Sequence, residues 1–339
     1  MDHFVGIDLH SNNSYIAVID TNNNRTFKKK ARNNLSEIIK LLAPFEKQIK
    51  GIVVESTYNW YWLVDGLMDN GYKLHLANPS AIKQYEGLKH SDDITDVFHL
   101  ANLLRLDILP EGYIYPKHER PLRDLLRKRI HLVHHRTALI LSFQNLIARN
   151  LGSKMHVSAI NKINEEDLED LFEDEYLILS AKASISTIHF LRSRIVQLEK
   201  VIAKAAKLKS EYELLKTVPG IWNILAQMIM LETGPIERFK KVGNYASYCR
   251  CVQSNRFSNS KSKGKGNRKN GNKYLSWAYV EAANHALWNY EYVKRYHQKK
   301  TAKTNNVVAI KAIAHKLARA CYYIIRDQKE FDPLKAFAK

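Results

Sequence analysis

The chain has 339 residues, of which 45% are hydrophobic and 26% are charged, and its formal net charge is +19. This length exceeds that of one small domain, so we expect two domains with enough hydrophobic residues for real cores. The excess of basic residues favours a polyanionic partner, and we expect a nucleic acid rather than an acidic protein surface.

The N-terminal segment and the cysteines bear on the cellular compartment. The segment MDHFVGIDLH lacks the charged region and apolar run of a signal peptide, and no stretch reaches the roughly 18 apolar residues of a spanning helix. We therefore expect no membrane partner. An odd, sparse set of cysteines fits a reducing compartment, and we interpret Cys249, Cys251 and Cys321 as packing residues.

The first 110 residues alternate between β-rich and helical patterns. The predicted strands are 4–10, 14–20, 25–31, 51–57 and 72–79, and the predicted helices are 33–45, 59–71 and 91–106. Three successive strands predict an antiparallel meander, and the later strands are reached through helical crossovers. This order predicts an α/β domain whose mixed sheet has the first strand at its centre, which is the pattern of the ribonuclease H-like fold.

The middle of the chain is predicted to be helical. A helix over 120–152 begins near Pro121 and ends at Gly152, and an acidic, solvated stretch follows it. The next helix, 176–209, carries apolar residues three and four apart, which is the seam of a coiled coil. The sequence leaves open whether this seam packs on the preceding helix or on a second copy.

The last third is predicted to be helical around one basic insert, 254–273. Segment 214–239 forms two helical pieces with breaks at Pro219-Gly220 and Gly234-Pro235, and helices over 274–294 and 305–327 close the chain. We accordingly divide the chain into a catalytic domain (1–115), a helical coiled-coil linker and dimerisation region (116–212) and a C-terminal all-α domain (213–339).

Four carboxylates are placed where metal ligands would be expected. Asp8 and Glu55 occur in otherwise apolar strands, and burial of an unpartnered charge is costly. Asp93 and Asp96 lie three apart and so share one face of a helix. Hard oxygen ligands of this kind suit Mg²⁺ or Mn²⁺, and two such ions can clamp a displacement at phosphorus. Alternatively, the strand residues could face solvent and the aspartates could only favour a helix N-terminus.

The basic insert has the composition of a nucleic-acid contact. Its cations are interleaved with Ser, Asn and Gly and comprise Arg256, Lys261, Lys263, Lys265, Arg268, Lys269 and Lys273. A serine in this loop could attack a phosphodiester, although composition alone makes such serines ordinary loop residues. The preceding VPGI segment resembles one unit of a helix-hairpin-helix, in which the turn at Gly220 offers backbone N–H groups to a phosphate.

Several segments together resemble a known family. GIDLHS, VVEST, SDDITDVFHLANLLR, VPGI…LETG and KNGNKYLSWAYVEAA occur in the order found in the DEDD-type insertion-sequence transposases. That family is related to the Piv invertase and includes the bridge-RNA-guided recombinases. The resemblance covers nearly the whole chain. It implies a RuvC-like domain in which Asp8, Glu55, Asp93 and Asp96 hold the metal and cut and rejoin DNA.

The resemblance also implies a serine nucleophile in a C-terminal transposase domain. The family's serine lies shortly before a segment represented here by Lys269, Gly271 and Asn272, and counting back places it at Ser258. Ser260 remains the second candidate, because Asn259 replaces the glycine that usually follows this serine. The implied partners are donor and target double-stranded DNA, a structured non-coding RNA and further copies of the chain in a dimer or tetramer, within the bacterial cytoplasm near the nucleoid.

Three other functions are alternatives to this one. A RuvC-like hydrolytic nuclease or Holliday-junction-type resolvase would use water in place of serine. A nucleic-acid-binding protein with an inactive site would share the basic charge without cleavage. An actin-like sugar kinase is disfavoured, because the HSNN turn has no glycine for a nucleotide phosphate.

Overall fold

The computed structural model describes residues 1–82, 93–206, 209–252, 255–259, 261–265 and 270–337, with the backbone alone for 255–258, 262, 263 and 265. The main division of the chain into two compact units falls after Lys117.

A six-stranded mixed sheet forms the first unit. Its strands are β1 (His3–Leu9), β2 (Asn13–Asp20), β3 (Arg25–Arg32), β4 (Ile49–Glu55), β5 (Leu74–Ala77) and β6 (Glu111–Gly112), in the order β3-β2-β1-β4-β5-β6. Strand β1 is antiparallel to β2 and parallel to β4, so the predicted central first strand is confirmed. Strand β6 was not predicted, because two residues are too few to show an alternating pattern.

Helices cover both faces of this sheet. They are α1 (Leu35–Leu42), α2 (Tyr61–Asp69) and α3 (Asp93–Arg105). Val5, Ile7 and Leu9 of β1 pack towards α1 and α2, while the intervening β1 residues face α3. Helix α1 is shorter than predicted, because a 3₁₀ turn containing Pro44 (Ala43–Gln48) replaces its end. Helix α2 ends as predicted, before Gly71, whose φ is +84°.

The second unit is mostly helical. Its helices are α4 (Arg120–Leu151), α5 (Val157–Ile160), α6 (Glu175–Ala206), α7 (Ser210–Lys216), α8 (Asn223–Thr233), α9 (Val242–Tyr248), α10 (Lys273–Asn289), α11 (Glu291–Thr301), α12 (Asn306–Asp327) and α13 (Pro333–Phe337). Helices α4 and α6 form a long antiparallel pair, and the apolar seam of α6 packs on α4. Within the chain, the partner of the apolar seam of α6 is therefore the long helix α4.

One predicted helix is wrong in its extent. The sequence predicted a continuous helix over 274–294, but Tyr290 adopts an extended conformation (φ −129°, ψ 115°) and separates α10 from α11. Tyr290 packs against the main helical core, so tertiary packing overrides the local helical pattern at this point. The predicted breaks at Pro219-Gly220 and Gly234-Pro235 are confirmed on either side of α8.

The cysteines are packing residues, as predicted. Cys249 and Cys321 are fully buried in the core of the second unit, and Cys251 packs against it. Burial raises the pKa of Cys321 and of Cys251 to about 12, so these thiols are not thiolate nucleophiles at neutral pH. No helix in the described part of the chain is long and apolar enough to cross a membrane.

Candidate active site

Two of the predicted carboxylates meet at one edge of the central sheet. Asp8 and Glu55 come at the carboxyl ends of β1 and β4, directly after the paired residues Ile7 and Val54. Because these strands are parallel, both side chains are presented at the same edge and their carboxyl groups come within hydrogen-bonding contact. Asp8 is 8% exposed, and ionisable residues are rarely so buried unless they are paired.

A close approach of α3 to β1 brings the other two carboxylates to this edge. Gly6 lies beneath α3, and a Cβ built on it would overlap the carbonyl oxygen of Val97 and lie 3.2 Å from the nitrogen of Ala101. Only glycine allows the helix to pack so closely on the strand. Asp93 and Asp96 lie in the first turn of this helix and are half-buried.

Three side chains are close enough to share one cation. The Nε2 atom of His10 lies 2.9 Å from Oδ2 of Asp8 and 3.7 Å from Oδ1 of Asp93. Within the described residues, ligand atoms of Asp8, His10 and Asp93 lie within 4.8 Å of one another. In octahedral coordination with ligands at about 2.1 Å, adjacent ligand atoms are roughly 3 Å apart, and the Asp8–His10 separation fits that spacing.

The Asp8–His10 contact allows two states of the site. The buried Nε2 atom of His10 forms an ion pair with Oδ2 of Asp8 when the imidazole is protonated, and the same two atoms have the spacing of adjacent ligands of one cation when it is neutral. His10 was not among the ligands predicted from the sequence, because it follows the strand in a polar turn. The position of His10, two residues after Asp8, was the available signal.

The electrostatics of the site favour a cation. Burial, the largest cause, and the carboxylates of Asp8 and Asp96 raise the pKa of Glu55 to about 7. Burial also raises the pKa of Asp8, with Asp93 adding to the effect and His10 opposing it. Carboxylates that repel one another in a partly buried site are stabilised by a bound divalent ion, so the donor set fits a metal.

Side-chain hydrogen bonds fix the turn that carries His10. Nδ2 of Asn33 and Nδ2 of Asn59 donate to the carbonyl oxygen of His10 over 2.9 and 3.0 Å. Asn33 follows β3 and Asn59 follows β4, so the turn after β1 is tied to both flanking segments. Oγ of Ser14 also donates to Oδ1 of Asn33 over 2.7 Å, which holds that asparagine in place. The imidazole is thus presented from a restrained loop.

The predicted serine lies at a turn in the second unit. The basic insert was predicted as an irregular loop, but its backbone forms an antiparallel hairpin of β7 (Asn255–Ser258) and β8 (Lys261–Lys265), with Ser258 paired to Lys261. Asn259, at the turn, has φ +51°, a conformation that asparagine tolerates. Ser258 is therefore the last strand residue before the turn, while Ser260 lies outside the described residues.

The structure describes only some of the basic side chains of the insert. Arg256, Lys263 and Lys265 lie in the hairpin strands, where only their backbone is described, and Arg268 and Lys269 lie outside the described residues. Lys261 and Lys273 are exposed. The carboxylates lie in the first unit and the serine hairpin in the second.

The end of the basic insert is anchored in the helical core. Asn272 caps α10 by accepting hydrogen bonds from the backbone N–H groups of Tyr274 and Leu275, and its Nδ2 donates to Oε2 of Glu232 over 2.7 Å. Glu232 is fully buried and accepts two hydrogen bonds from Arg127, at 2.5 and 2.7 Å. No local sequence pattern indicates this network, since its members are far apart along the chain.

Gly220 occupies a packing position. It is buried with φ +75°, and a Cβ built on it would overlap the carbonyl oxygen of Ala282 in α10. This contact accounts for the glycine without a phosphate ligand, so the predicted phosphate contact at Gly220 gains no support from its position. Of the aromatic residues that follow β4, Trp60 is buried in the sheet core, whereas Tyr58 is 82% exposed.

The fold and the carboxylate edge together define the class of the first unit. A mixed sheet with a central first strand is consistent with a ribonuclease H-like domain, and acidic residues at the ends of its strands and on the following helix are the arrangement of a DEDD domain. Proteins of this class use divalent metal ions to act on nucleic acid.

Comparisons with known families identify the chain more closely. A DEDD transposase model of the IS110 type, described as "Transposase", matches residues 5–149, and a model described as "Transposase IS116/IS110/IS902 family" matches residues 212–298. The two matches follow one another along the chain, so the chain carries two domains of IS110-family insertion-sequence transposases. These domains imply DNA transposase activity and use of a divalent metal. No curated protein matches the chain.

Proposed function

We propose that Asp8, Glu55, Asp93 and Asp96, with His10, hold one or two Mg²⁺ or Mn²⁺ ions that position a DNA phosphodiester for cleavage and rejoining. The convergence of Asp8, His10 and Asp93 within 4.8 Å is the observation that carries this proposal. The raised pKa of Glu55 supports it, because a bound cation would relieve the repulsion that raises this pKa. When bound, such ions stabilise the attacking and leaving oxygens of an in-line displacement at phosphorus.

The nucleophile in this proposal is Ser258. Its Oγ forms a bond to phosphorus, the bond from phosphorus to the leaving strand's oxygen breaks, and the serine proton ends on that oxygen by way of solvent. A hydroxyl of another DNA strand then attacks the phosphoserine and releases Ser258, which rejoins DNA without net hydrolysis. The position of Ser258 at the turn of a basic hairpin supports this role.

Two partners complete the proposal. A structured non-coding RNA would select donor and target DNA, and further copies of the chain would bring two active sites together in a dimer or tetramer. The net charge of +19 is compatible with binding both nucleic acids. Sequencing the RNA that co-purifies with the full chain tests the first partner, because a non-coding RNA from beside the gene should be enriched over bulk RNA.

Adduct trapping separates this proposal from hydrolysis. With donor DNA and Mn²⁺, the unaltered chain should form a covalent protein–DNA adduct, and Ser258→Ala should abolish it. Asp8→Asn should abolish both adduct and nicking while leaving DNA binding in EDTA largely intact. Nicking without any adduct would identify a hydrolytic nuclease, and an adduct that survives Ser258→Ala but is lost in Ser260→Ala would move the nucleophile.

A further inference from the structure

A groove in the first unit runs beside the carboxylate edge. It lies between α3 and the edge strand β3 and has a volume of about 280 Å³. Its lining includes Tyr15, Ala17, Lys28, Lys30, Ile94 and Val97. The volume is close to the lower end of the range for small-molecule pockets, about 300 Å³, and so fits one nucleotide rather than a folded partner.

The strand register connects this groove to the metal site. Asp8 of β1 is paired with Tyr15 of β2, and Tyr15 is paired with Lys30 of β3. Directly paired residues project from the same face of a sheet, and adjacent strands lie about 4.8 Å apart, so the three residues form one row across roughly 10 Å. The ring of Tyr15 also lies edge-on to His10, with 5.7 Å between the ring centroids.

The rim of the groove on β3 carries positive charge without a counter-charge. Lys28 and Lys30 are exposed, and neither has an ion-pair partner in the part of the chain that the structure describes. Residues two apart on a strand are about 6.7 Å apart, a separation comparable with that of successive phosphates along an extended nucleic-acid strand. Arg25 extends the row, with its guanidinium carbon 4.4 Å from the centroid of the Phe98 ring on α3.

The floor of the groove is apolar and aromatic. Ala17, Ile94 and Val97 supply apolar surface, while the Tyr15 ring supplies a face for stacking and lies 5.1 Å from Nζ of Lys30. A cationic rim over an aromatic and apolar floor is the arrangement that binds single nucleic-acid strands without base readout. Ile94 directly follows Asp93, so one end of the groove opens at the metal site.

We propose that this groove binds the DNA strand next to the scissile phosphate, with Lys28 and Lys30 on its backbone phosphates and Tyr15 under a base. This inference rests on the proposed function, because the proposed metal site is the end of the groove towards which the bound DNA strand would run. Lysines on an edge strand also prevent edge-to-edge pairing. Protection of the sheet edge, however, would not require the two lysines to border a groove or to be aligned with Asp8.

The salt dependence of DNA binding tests this proposal. The full chain is titrated with a labelled single-stranded DNA oligonucleotide in EDTA, at several salt concentrations, for the unaltered chain and for Lys28→Gln/Lys30→Gln. Loss of two phosphate contacts should reduce the slope of log affinity against log salt by about 1.4. The matched control is Lys40→Gln/Lys47→Gln, which removes the same charge from exposed residues near α1, the helix on the opposite sheet face. It should leave the slope unchanged.

Photo-crosslinking supplies a second measurement. An oligonucleotide carrying 5-iodouracil should crosslink to Tyr15 in the unaltered chain, and the crosslink should be lost in Lys28→Gln/Lys30→Gln. An unchanged slope in that variant, an equal fall in the control, or self-association of the variant with normal DNA binding would overturn the proposal. A slope that changes only with RNA of the same sequence would also overturn it.

These measurements are independent of cleavage. Because binding is measured in EDTA, a slope that depends on Lys28 and Lys30 supports the groove even if the unaltered chain never nicks DNA. In that case the proposed metal function fails and the groove stands. Metal-dependent nicking together with an unchanged slope would refute the groove alone.

Discussion

Gly6 lies directly beneath the carbonyl oxygen of Val97, with no room for a side chain between strand β1 and helix α3. This contact sets the distance between the strand that carries Asp8 and the helix that carries Asp93. Gly6→Ala should therefore push α3 outward. We expect a loss of stability of about 1–3 kcal/mol and weaker binding of Mn²⁺, measured by thermal unfolding and by isothermal titration.

Gly243→Ala is the control for the Gly6 substitution. Gly243 lies in α9, and a Cβ there meets no atom within 4 Å. In a helix, alanine in place of glycine should be neutral or stabilise by up to about 1 kcal/mol. Normal metal binding by Gly6→Ala would show that the close approach does not position the carboxylates.

His10 should influence the choice of metal. An imidazole nitrogen suits Mn²⁺ and later transition ions better than Mg²⁺, which prefers oxygen ligands. His10→Asn should therefore weaken Mn²⁺ binding by about tenfold or more and weaken Mg²⁺ binding less. Electron paramagnetic resonance of bound Mn²⁺ measures the first effect, and competition by Mg²⁺ measures the second.

His134→Asn is the control for His10→Asn, because His134 is exposed on α4 and far along the chain from the carboxylates. It should leave both affinities unchanged. Equal affinities for Mn²⁺ in His10→Asn and the unaltered chain would remove His10 from the ligand set.

Glu55 should make the metal-free protein less stable as the pH rises. Its pKa is about 7 in the folded protein and 4.5 ordinarily, so between these values the folded state binds the proton more tightly than the unfolded chain. Stability contributed by this group is complete below pH 4.5 and is lost as the pH rises to 7. Glu55→Gln removes the titrating group. As the pH rises from 4.5 to 7 in EDTA, the free energy of unfolding of this variant should therefore increase relative to that of the unaltered chain.

Chemical denaturation at pH 4, 6 and 8 measures the Glu55 effect. Saturating Mg²⁺ should abolish the advantage of the glutamine variant at pH 8, because the cation replaces the proton. If the free energies of unfolding of the two proteins in EDTA changed with pH by the same amount, the prediction would be wrong.

Asn272 should position the serine hairpin by tying its exit to Glu232. Asn272→Ala removes both a helix cap, worth about 1 kcal/mol, and a hydrogen bond to a buried carboxylate. We expect lower stability and a reduced yield of the covalent adduct, with unchanged Mn²⁺ affinity. Asn305→Ala is matched, because Asn305 also caps a helix through Val308 but is exposed. If both variants lost the adduct equally, Asn272 would act only as a helix cap.

The meeting of Asp8 and Glu55 at one sheet edge could be predicted because its signal is local. Asp8 and Glu55 interrupt apolar strands, and the strand order places both strand ends at one edge. His10 was not predicted, because its position beside Asp8 depends on how the turn after β1 is held by Asn33 and Asn59. The Asn272–Glu232 contact was missed for a related reason, since it joins residues 40 positions apart through packing of α8 and α10.

The α4–α6 pair contributes to two separate hydrophobic clusters. Near one end, Leu126 and Ile202 belong to the main helical core, whereas near the other Phe143 and Ile185 form a smaller core with the α5 region. Arg129 and Glu199 form a charged contact beside the first of these clusters. Local opening of the distal cluster should therefore be separable from global unfolding, and its amides should exchange with deuterium while those of α10 remain protected.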